Sequence, residues 1–168
     1  TTLYEHKLKQ LQYVDFDKVF ISSESIEVLD IACKYGFYTH FRNSSYSMPN
    51  VPMAKVYSYI ATNVPGDDIA WVNVTNPLVG SSKYDEAIME YYRHKNKHDC
   101  LLSVYDLQKY VWWQNKPVNW YPYSCNPHPK SQDLKGLYAM SFAVNILKRD
   151  DLIKWGTCVG KNPYFYVM

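Results

Sequence analysis

The sequence lacks the long apolar segment that a membrane span requires. None of its 168 residues belong to a run near the roughly 20 apolar positions that cross a bilayer. It also has little net charge, +2 from 18 basic and 16 acidic residues. Because a nucleic-acid-binding domain usually carries a concentrated positive charge, this balance does not favour nucleic acid. We therefore expect neither a membrane nor a nucleic acid as partner.

Glycine and cysteine are scarce as well. The six glycines match neither G-x-G-x-x-G nor a P-loop, and the sequence contains no G-x-S-x-G elbow. The four cysteines stand far apart without a C-x-x-C spacing, and a domain of this size needs no disulfide framework. These absences argue against the dinucleotide-binding fingerprint and against the common nucleophile-elbow hydrolases. They favour a reducing, cytoplasmic setting.

The ends of the sequence carry no secretory signal. TTLYEHKLKQL lacks an apolar core and an initiator methionine, and it begins within a predicted helix. The last residues, 164–168, have the pattern of a strand. We expect residues 1–168 to form one domain, truncated or incompletely recorded at both ends.

Strands and helices alternate along most of the chain. The spacing of Leu3, Leu8 and Leu11 predicts a first helix. Ser23 or Ser25 is expected to cap the second helix, and Ser81 or Ser82 to cap a later one. Strands are predicted at 17–22, 37–41, 69–74, 99–105, 140–147 and 163–167, and further helices at 53–62 and 149–155. Such alternation is typical of an α/β fold with a mainly parallel sheet.

Residues 110–130 depart from this alternation. The segment VWWQNKPVNWYPY combines strand-forming aromatic residues with Asn115, Pro117 and Pro122, which predicts a hairpin or a projecting arm. Its tryptophans and tyrosines are more typical of a subunit interface than of a ligand site. We therefore expect 110–130 to be a dimerisation arm.

The stretch WVNVTNPL at 71–78 is the clearest candidate site. Pro77 cannot donate to a sheet ladder, so the strand should end with Thr75 and Asn76 at its tip. Ligands of α/β proteins bind at such tips. The other predicted tips carry Ser22-Ser23, Arg42-Asn43 and Ser103. Together they suit a polyhydroxylated or phosphorylated small molecule, although hydroxyls at these positions also serve as helix caps.

A metal site finds little support in the sequence. His94 and His98 have the spacing of two ligands on one helix face, with Cys100 beyond them. The neighbouring Lys95 and Lys97 would repel a cation, so we interpret the segment as a solvated helix end and predict no metal ligands.

The order of these segments resembles the acylneuraminate cytidylyltransferase family, the CMP-sialic acid synthetases and their relatives. DKVFISSESIEVLDIACKYGFYTHFR at 17–42 resembles the family's strand ending in Ser-Thr-Asp-Ser, with the helix and strand that follow. WVNVTNPLVGSSKYDEAI at 71–88 resembles its Leu-Gln-Pro-Thr-Ser-Pro-Leu segment. DCLLSVYD at 99–106 and HPKSQDLKGLYAMSFAVNI at 128–146 resemble its Asp-Ser-Val-Val-Ser-Val strand and its Arg-Gln-Asp-Leu stretch. The resemblance spans nearly the whole chain.

The resemblance implies a three-layer α/β nucleotidyltransferase fold, Rossmann-like, with a projecting aromatic arm. It also implies transfer of CMP from CTP to a nonulosonic or ulosonic sugar acid with release of pyrophosphate. Mg²⁺ is the implied cofactor, with ligands outside this chain, and a homodimer exchanging an arm is the implied assembly. Two alternatives stay open: another sugar nucleotidyltransferase of the same fold, and a degenerate, non-catalytic binding or assembly module.

The resemblance assigns roles to eight residues and names no individual catalytic residue. The nucleotide side carries Ser22 and Ser23. The substrate side carries Arg42, Asn73, Thr75, Asn76, Gln132 and Asp133.

The chain departs from the family pattern at several of these places. Asn76 stands at the usual serine, Val79 at a frequent arginine, and Glu24 at the usual aspartate. Ser141-Phe142-Ala143 stands where the family carries Asn-Gly. The basic phosphate loop and the acidic metal motif of the family have no counterpart in these 168 residues.

Overall fold

The structure is a computed structural model that describes residues 2–121 and 128–168. Its strands are β1 Phe20–Ser23, β2 Tyr38–Phe41, β3 Asp68–Val72, β4 Cys100–Asp106, β5 Trp112–Trp113, β6 Lys116–Pro117, β7 Tyr138–Lys148 and β8 Pro163–Val167. Its helices are α1 Leu3–Leu11, α2 Ile26–Lys34, α3 Met53–Asn63, α4 Ser81–His94 and α5 Arg149–Trp155. Two short 3₁₀ segments lie at Ser44–Ser47 and Ser131–Asp133.

Side chains cap the N-termini of the first two helices. Thr2 and Glu5 form a reciprocal capping box at the start of α1. Ser25, one of the two predicted caps, accepts a hydrogen bond from the Val28 amide at the start of α2. Gly36 follows α2 with φ +83°, a conformation that glycine adopts at little cost.

The predicted cap of α4 is wrong. Gly80 is the N-cap residue and provides no side chain, while Ser81 and Ser82 already lie inside the helix. The carboxylate of Asp85 accepts a hydrogen bond from the backbone amide of Asp15 at 2.9 Å. The start of α4 is therefore connected to the segment after α1, a tertiary contact that local sequence does not reveal.

The main sheet has the strand order β3-β7-β4-β8. β7 runs antiparallel to both of its neighbours, whereas β4 and β8 pair in parallel. β3, β4 and β8 therefore share one direction, in agreement with the predicted fold class, and β7 is the reversed strand. β1 and β2 form a separate parallel pair.

Helices cover both faces of the main sheet, which confirms the three-layer arrangement. On one face Tyr84 and Tyr91 of α4 pack against Leu101 and Ile146. On the other face Leu152 of α5 joins a cluster whose sheet residues include Cys100, Leu102 and Leu147. Because neighbouring strand residues point to opposite faces, β4 supplies both clusters and is buried from Cys100 through Val104.

The small β1–β2 sheet and the main sheet pack against the same helix. Val56, Ile60 and Val64 of α3 form one buried cluster against which Phe20 of β1 and Trp71 of β3 both pack. α3 therefore joins the two sheets from one side.

The predicted hairpin is present within residues 110–130. β5 and β6 pair antiparallel through Trp112↔Pro117 and Trp113↔Lys116. Gln114 and Asn115 between them have φ of 46° and 62°, the conformation of a tight two-residue hairpin turn. Residues 122–127 of the predicted arm lie outside the described residues. Its role in dimerisation stays a prediction.

Candidate functional site

The tips of β1 and β2 bring together three of the residues predicted for the site. The Arg42 amide donates to the Ser23 carbonyl at 2.9 Å, directly beyond the last paired residues of the two strands. Ser22 Oγ lies 2.9 Å from His40 Nδ1, and Ser23 Oγ accepts a hydrogen bond from the Ser25 amide. Ser23 is buried, so its hydroxyl serves the turn into α2.

Arg42 is held by an ion pair at this edge. Its Nη2 donates to Glu24 Oε2 at 2.5 Å. The hydrogen bonds from Arg42, from the Glu24 amide and from Ser47 lower the pKa of the Glu24 carboxyl to about 2. Arg42 Nε is buried and has no hydrogen-bond partner among the described residues. The guanidinium is therefore positioned at the strand tip and partly neutralised there.

The tip of β3 lies two residues earlier than the sequence predicts. The strand ends at Val72, and Asn73 already belongs to the following loop. Asn73 Oδ1 accepts a hydrogen bond from Trp71 Nε1 at 3.1 Å, which fixes the amide of Asn73. Thr75 is exposed, and Asn76 is half-buried. We call residues 73–78 the β3 loop.

Helix α1 holds the β3 loop through the backbone of that loop. Lys7 Nζ donates to the Asn76 carbonyl at 2.8 Å, and Gln10 Nε2 donates to the Pro77 carbonyl at 2.7 Å. His6 Nε2 lies 3.0 Å from the same Pro77 carbonyl. Three side chains on two turns of one helix therefore contact two successive carbonyls of the loop.

Lys7 is buried despite its charge. It is only 1% exposed, and its Nζ also donates to Tyr84 Oη at 2.7 Å. Burial lowers the pKa of Lys7 to about 8, because an ammonium group loses hydration inside the protein. Burial raises the pKa of Tyr84 to about 12, so this phenol stays neutral. None of the ion pairs formed by the described residues includes Lys7.

The tip of β4 is connected to the segment carrying Gln132 and Asp133. Gln108 Nε2 donates to the Gln132 carbonyl at 3.4 Å, and the Leu107 amide donates to the Leu137 carbonyl at 2.8 Å. Both predicted residues lie in the 3₁₀ segment and are exposed. Leu134, which follows them, is 4% exposed and anchors the segment.

The strand tips lie at the same end of the molecule. β3 and β4 both run antiparallel to β7, so their carboxyl ends share one edge of the sheet. Tyr4 Oη of α1 donates to the Val28 carbonyl in the first turn of α2, just beyond β1. Lys7, one helical turn further along α1, reaches the β3 loop. α1 therefore contacts both the first turn of α2, the helix that follows β1, and the β3 loop.

A bulge in β7 lies at the same edge. The pairing of β4 with β7 shifts between Leu102 and Val104, so that residues 141–144 face Ser103. Ser103 Oγ accepts hydrogen bonds from Ser141 Oγ at 2.7 Å and from the Val144 amide at 3.1 Å. Phe142 has φ +54° and is 42% exposed. Since Val144 pairs with the last residue of β3, this strained phenylalanine stands beside the β3 loop.

His94 and His98, which have the spacing of two metal ligands, both pack against the ring of Tyr164. His94 stacks on Tyr164 at a centroid distance of 4.1 Å, and His98 contacts the same ring edge-on. Across 2–121 and 128–168, no three His, Cys, Asp or Glu side chains come together in a way that could hold a metal ion. No helix within those ranges combines the length and the apolarity needed to cross a bilayer.

Two features of the site were not predicted from the sequence. Lys7 lies four residues after Leu3 and four before Leu11, on the inward stripe of α1, so its helical spacing was a usable signal. The β7 bulge had no local signal, because positive φ at a phenylalanine arises from the pairing of β7 with β4.

The chain has a three-layer α/β arrangement with polar residues at strand tips, and comparison with solved structures shows that it shares the nucleotidyltransferase fold. The chain is similar to the bifunctional IspDF from Campylobacter jejuni with a TM-score of 0.66 and 13% sequence identity, covering 100% of this chain and 42% of that one. It is similar to CMP:2-keto-3-deoxy-manno-octonic acid synthetase complexed with CTP with a TM-score of 0.64 and 10% identity, covering 99% of this chain and 79% of that one.

The similarity is one of structure. No family model matches the chain, and no curated protein matches it in sequence. The chain spans less than half of the length of the bifunctional protein. At these identities the comparisons establish the fold.

Proposed function

We propose that the chain is a cytidylyltransferase domain that transfers CMP from CTP to a sialic-acid-like sugar, a nonulosonic or ulosonic acid, with release of pyrophosphate. One observation carries this proposal. Nearly the whole chain shares its fold with CMP:2-keto-3-deoxy-manno-octonic acid synthetase, whose structure holds CTP.

We propose that the nucleotide lies at the tip of β1 and the sugar acid against the β3 loop. Ser22 contributes on the nucleotide side through its hydroxyl, and Ser23, whose hydroxyl is engaged, contributes through the turn that it stabilises. On the sugar side, exposed Thr75 is accessible to a ligand. Asn73, Asn76, Arg42, Gln132 and Asp133 complete the proposed sugar side.

The proposed reaction forms a bond between a sugar hydroxyl oxygen and the α-phosphorus of CTP. The bond from that phosphorus to the bridging oxygen breaks, and pyrophosphate leaves with the bridging electrons. The contribution of this chain is alignment of the two substrates and compensation of their negative charge. Arg42 is the cation that the structure places at the β1–β2 tip.

The described residues do not fit a complete magnesium site. Magnesium requires an octahedral set of oxygen ligands, usually with one or two carboxylates together with substrate phosphates. Glu24 is engaged by Arg42, and no group of three candidate ligands occurs in the described part of the chain. Mg²⁺ therefore stays a proposal that rests on the family resemblance alone.

The test uses the full-length protein. Calorimetry with CTP measures binding, and release of pyrophosphate is measured with CTP and a panel containing a sialic acid, an eight-carbon ulosonic acid and a sugar 1-phosphate. We expect CTP binding and turnover with a sugar acid. Turnover with the sugar phosphate alone would instead support another nucleotidyltransferase of this fold.

Thr75→Val tests the contribution of the β3 loop, because it removes a hydroxyl and keeps the shape of the side chain. We expect kcat/KM for the sugar acid to fall at least about tenfold, the loss expected for one hydrogen bond to a charged group. Thr62→Val on α3 is the control, since its hydroxyl bonds only to the Ser58 carbonyl on the same helix. Equal activity of the two variants would contradict the assignment of the β3 loop.

A second candidate function is a non-catalytic assembly module. The β5–β6 hairpin supports it, because Trp112 and Trp113 are 53% and 69% exposed. Exposed tryptophans on a hairpin are typical of a protein interface. Absence of CTP binding in a protein that dimerises would favour this module over the enzyme.

A further inference from the structure

Helix α1 makes polar contacts to the β3 loop in addition to the apolar packing that anchors the helix. His6, Lys7 and Gln10, which we call the α1 clasp, all reach the carbonyls of Asn76 and Pro77. A helix packs through its apolar stripe, and α1 already buries Leu8 and Leu11. The clasp therefore adds polar contacts to a packing that is already apolar.

Lys7, the central residue of the clasp, carries the largest desolvation cost of the three. An ammonium group that is 1% exposed loses nearly all of its hydration, and no carboxylate among the described residues pairs with Lys7. Its described partners are one carbonyl and one neutral phenol, Asn76 O and Tyr84 Oη. A methionine or leucine at this position would pack without that desolvation cost.

The acceptor of the Lys7 bond lies within the proposed substrate-facing segment. The Asn76 carbonyl also accepts a hydrogen bond from the Val79 amide at 3.4 Å, so Lys7 bonds to the oxygen that closes the turn of the loop. The exposed Thr75 immediately precedes it. Fixing this carbonyl therefore orients the peptide unit between Asn76 and Pro77 and, through it, the neighbouring side chains.

We propose that Lys7 is a positioning residue, which with His6 and Gln10 holds the β3 loop in the conformation that presents Thr75 and Asn76. The clasp acts through the backbone of the loop and does not touch a ligand. The holding role stands on the contacts alone, whereas its consequence for substrate binding rests on the proposed function.

The protonation state of Lys7 sets the strength of the clasp. The titratable groups beside it are Tyr84 on α4 and His6 on its own helix, while the carboxylate of Asp85 is engaged with the Asp15 amide. Burial brings the pKa of Lys7 to about 8. A charged donor makes a stronger hydrogen bond than a neutral amine, so protonated Lys7 bonds more strongly to the Asn76 carbonyl, although its burial opposes the charged form.

Hydrogen exchange of the backbone amides of 73–80 tests the clasp on the full-length protein without any ligand. Lys7→Met keeps the length of the side chain and removes its donor. We expect exchange of the Val79 amide, which donates to the Asn76 carbonyl, to become at least about tenfold faster at pH 7, as expected for loss of a charge-assisted bond. Exchange in β4 serves as the internal reference, and Lys9→Met, at an exposed position of the same helix, is the matched control.

A folded Lys7→Met protein with unchanged exchange in 73–80 would overturn the proposal. If Lys7→Met does not fold, the double variant His6→Ala, Gln10→Ala removes the outer contacts of the clasp. It should accelerate the same amides, and a wild-type rate in a folded double variant would equally overturn the proposal.

Addition of CTP together with a sialic acid or an eight-carbon ulosonic acid separates the clasp from the proposed function. If both are correct, the sugar acid should slow exchange in 73–80 of Lys7→Met more than in the wild type, since a ligand lying against the β3 loop substitutes for part of the lost restraint. If 73–80 is loosened in the variant and these ligands have no effect on either protein, the clasp stands and the proposed function fails.

Discussion

At the scale of single residues, Phe142 occupies a conformation that its side chain disfavours. Its φ of +54° is rare for a bulky residue, and such strain costs of the order of 1–3 kcal/mol. The bonds of Ser103 to Ser141 and Val144 hold the bulge in spite of that cost. The backbone at Phe142 therefore adopts a conformation that glycine takes up at little cost.

Phe142→Gly should therefore raise the free energy of unfolding, by about 1 kcal/mol after the entropy of glycine and the lost partial burial are subtracted. The measurement is urea denaturation. Phe142→Ala is the control, because alanine retains the Cβ atom that causes the strain and loses the same ring. A glycine variant less stable than the alanine variant would contradict this account.

Lys7 gives the chain a pH-dependent stability of defined sign. The pKa of Lys7 is about 8 in the folded protein against 10.5 for an unperturbed lysine, so between these values the unfolded chain binds more protons. Stability contributed by this site therefore rises with pH from 8 to 10.5.

The measurement is the difference in unfolding free energy between the wild type and Lys7→Met across that range. We expect the difference to grow in favour of the wild type by about 2–3 kcal/mol. Comparison with the variant cancels the opposing effect of Cys100, whose pKa burial raises to about 12. A difference that stays flat with pH would show that Lys7 does not titrate as the buried group described here.

At the scale of elements, the β5–β6 hairpin is the clearest candidate for a subunit contact. We expect the full-length protein to dimerise and Trp113→Ala to weaken the dimer more than tenfold, as loss of a tryptophan at an interface does. Sedimentation velocity at several concentrations measures this. Tyr13→Ala, at a 77% exposed position outside the hairpin, is the control and should leave the mass unchanged. Identical sedimentation of the two variants would count against the hairpin as the interface.

The sequence predicts elements well where local chemistry decides them. The bounds 149–155 and 163–167 match α5 and β8, and Ser25 and Gly36 delimit α2 as expected. The prediction for β3 runs two residues too far at its end, because hydrophobic alternation continues through Val74 while ladder pairing stops at Val72. Pairing depends on β7, about seventy residues away in sequence, and no local pattern carries that information.

At the scale of the whole molecule, the alternation of strands and helices predicts an α/β fold, and the helix-packed clusters on both faces of β4 confirm it. The reversed direction of β7 and its position between β3 and β4 were not predicted. A buried strand has the same apolar composition in either direction, so sequence alone does not distinguish a parallel from an antiparallel central strand.

The candidate site, like the fold, could be predicted from the sequence only in part. Residue types at the strand tips were visible in the sequence, because serine, threonine, asparagine and proline mark the ends of strands by their hydrogen bonding and their backbone restrictions. Their states were not visible: Glu24 engages Arg42, Ser23 is buried, and α1 holds the β3 loop. Each of these depends on residues distant in sequence that only the folded chain brings together.

By itself, then, the sequence determined the fold class, most of the elements and the polar strand tips, since these follow from periodicity and local backbone chemistry. The tertiary structure decided the direction of β7, the strain at Phe142 and the burial of Lys7 beneath WVNVTNPL. Desolvation and strand pairing depend on neighbours that pack together only in the folded chain. Lys7 is therefore buried and bonded to the β3 loop only once that loop covers helix α1.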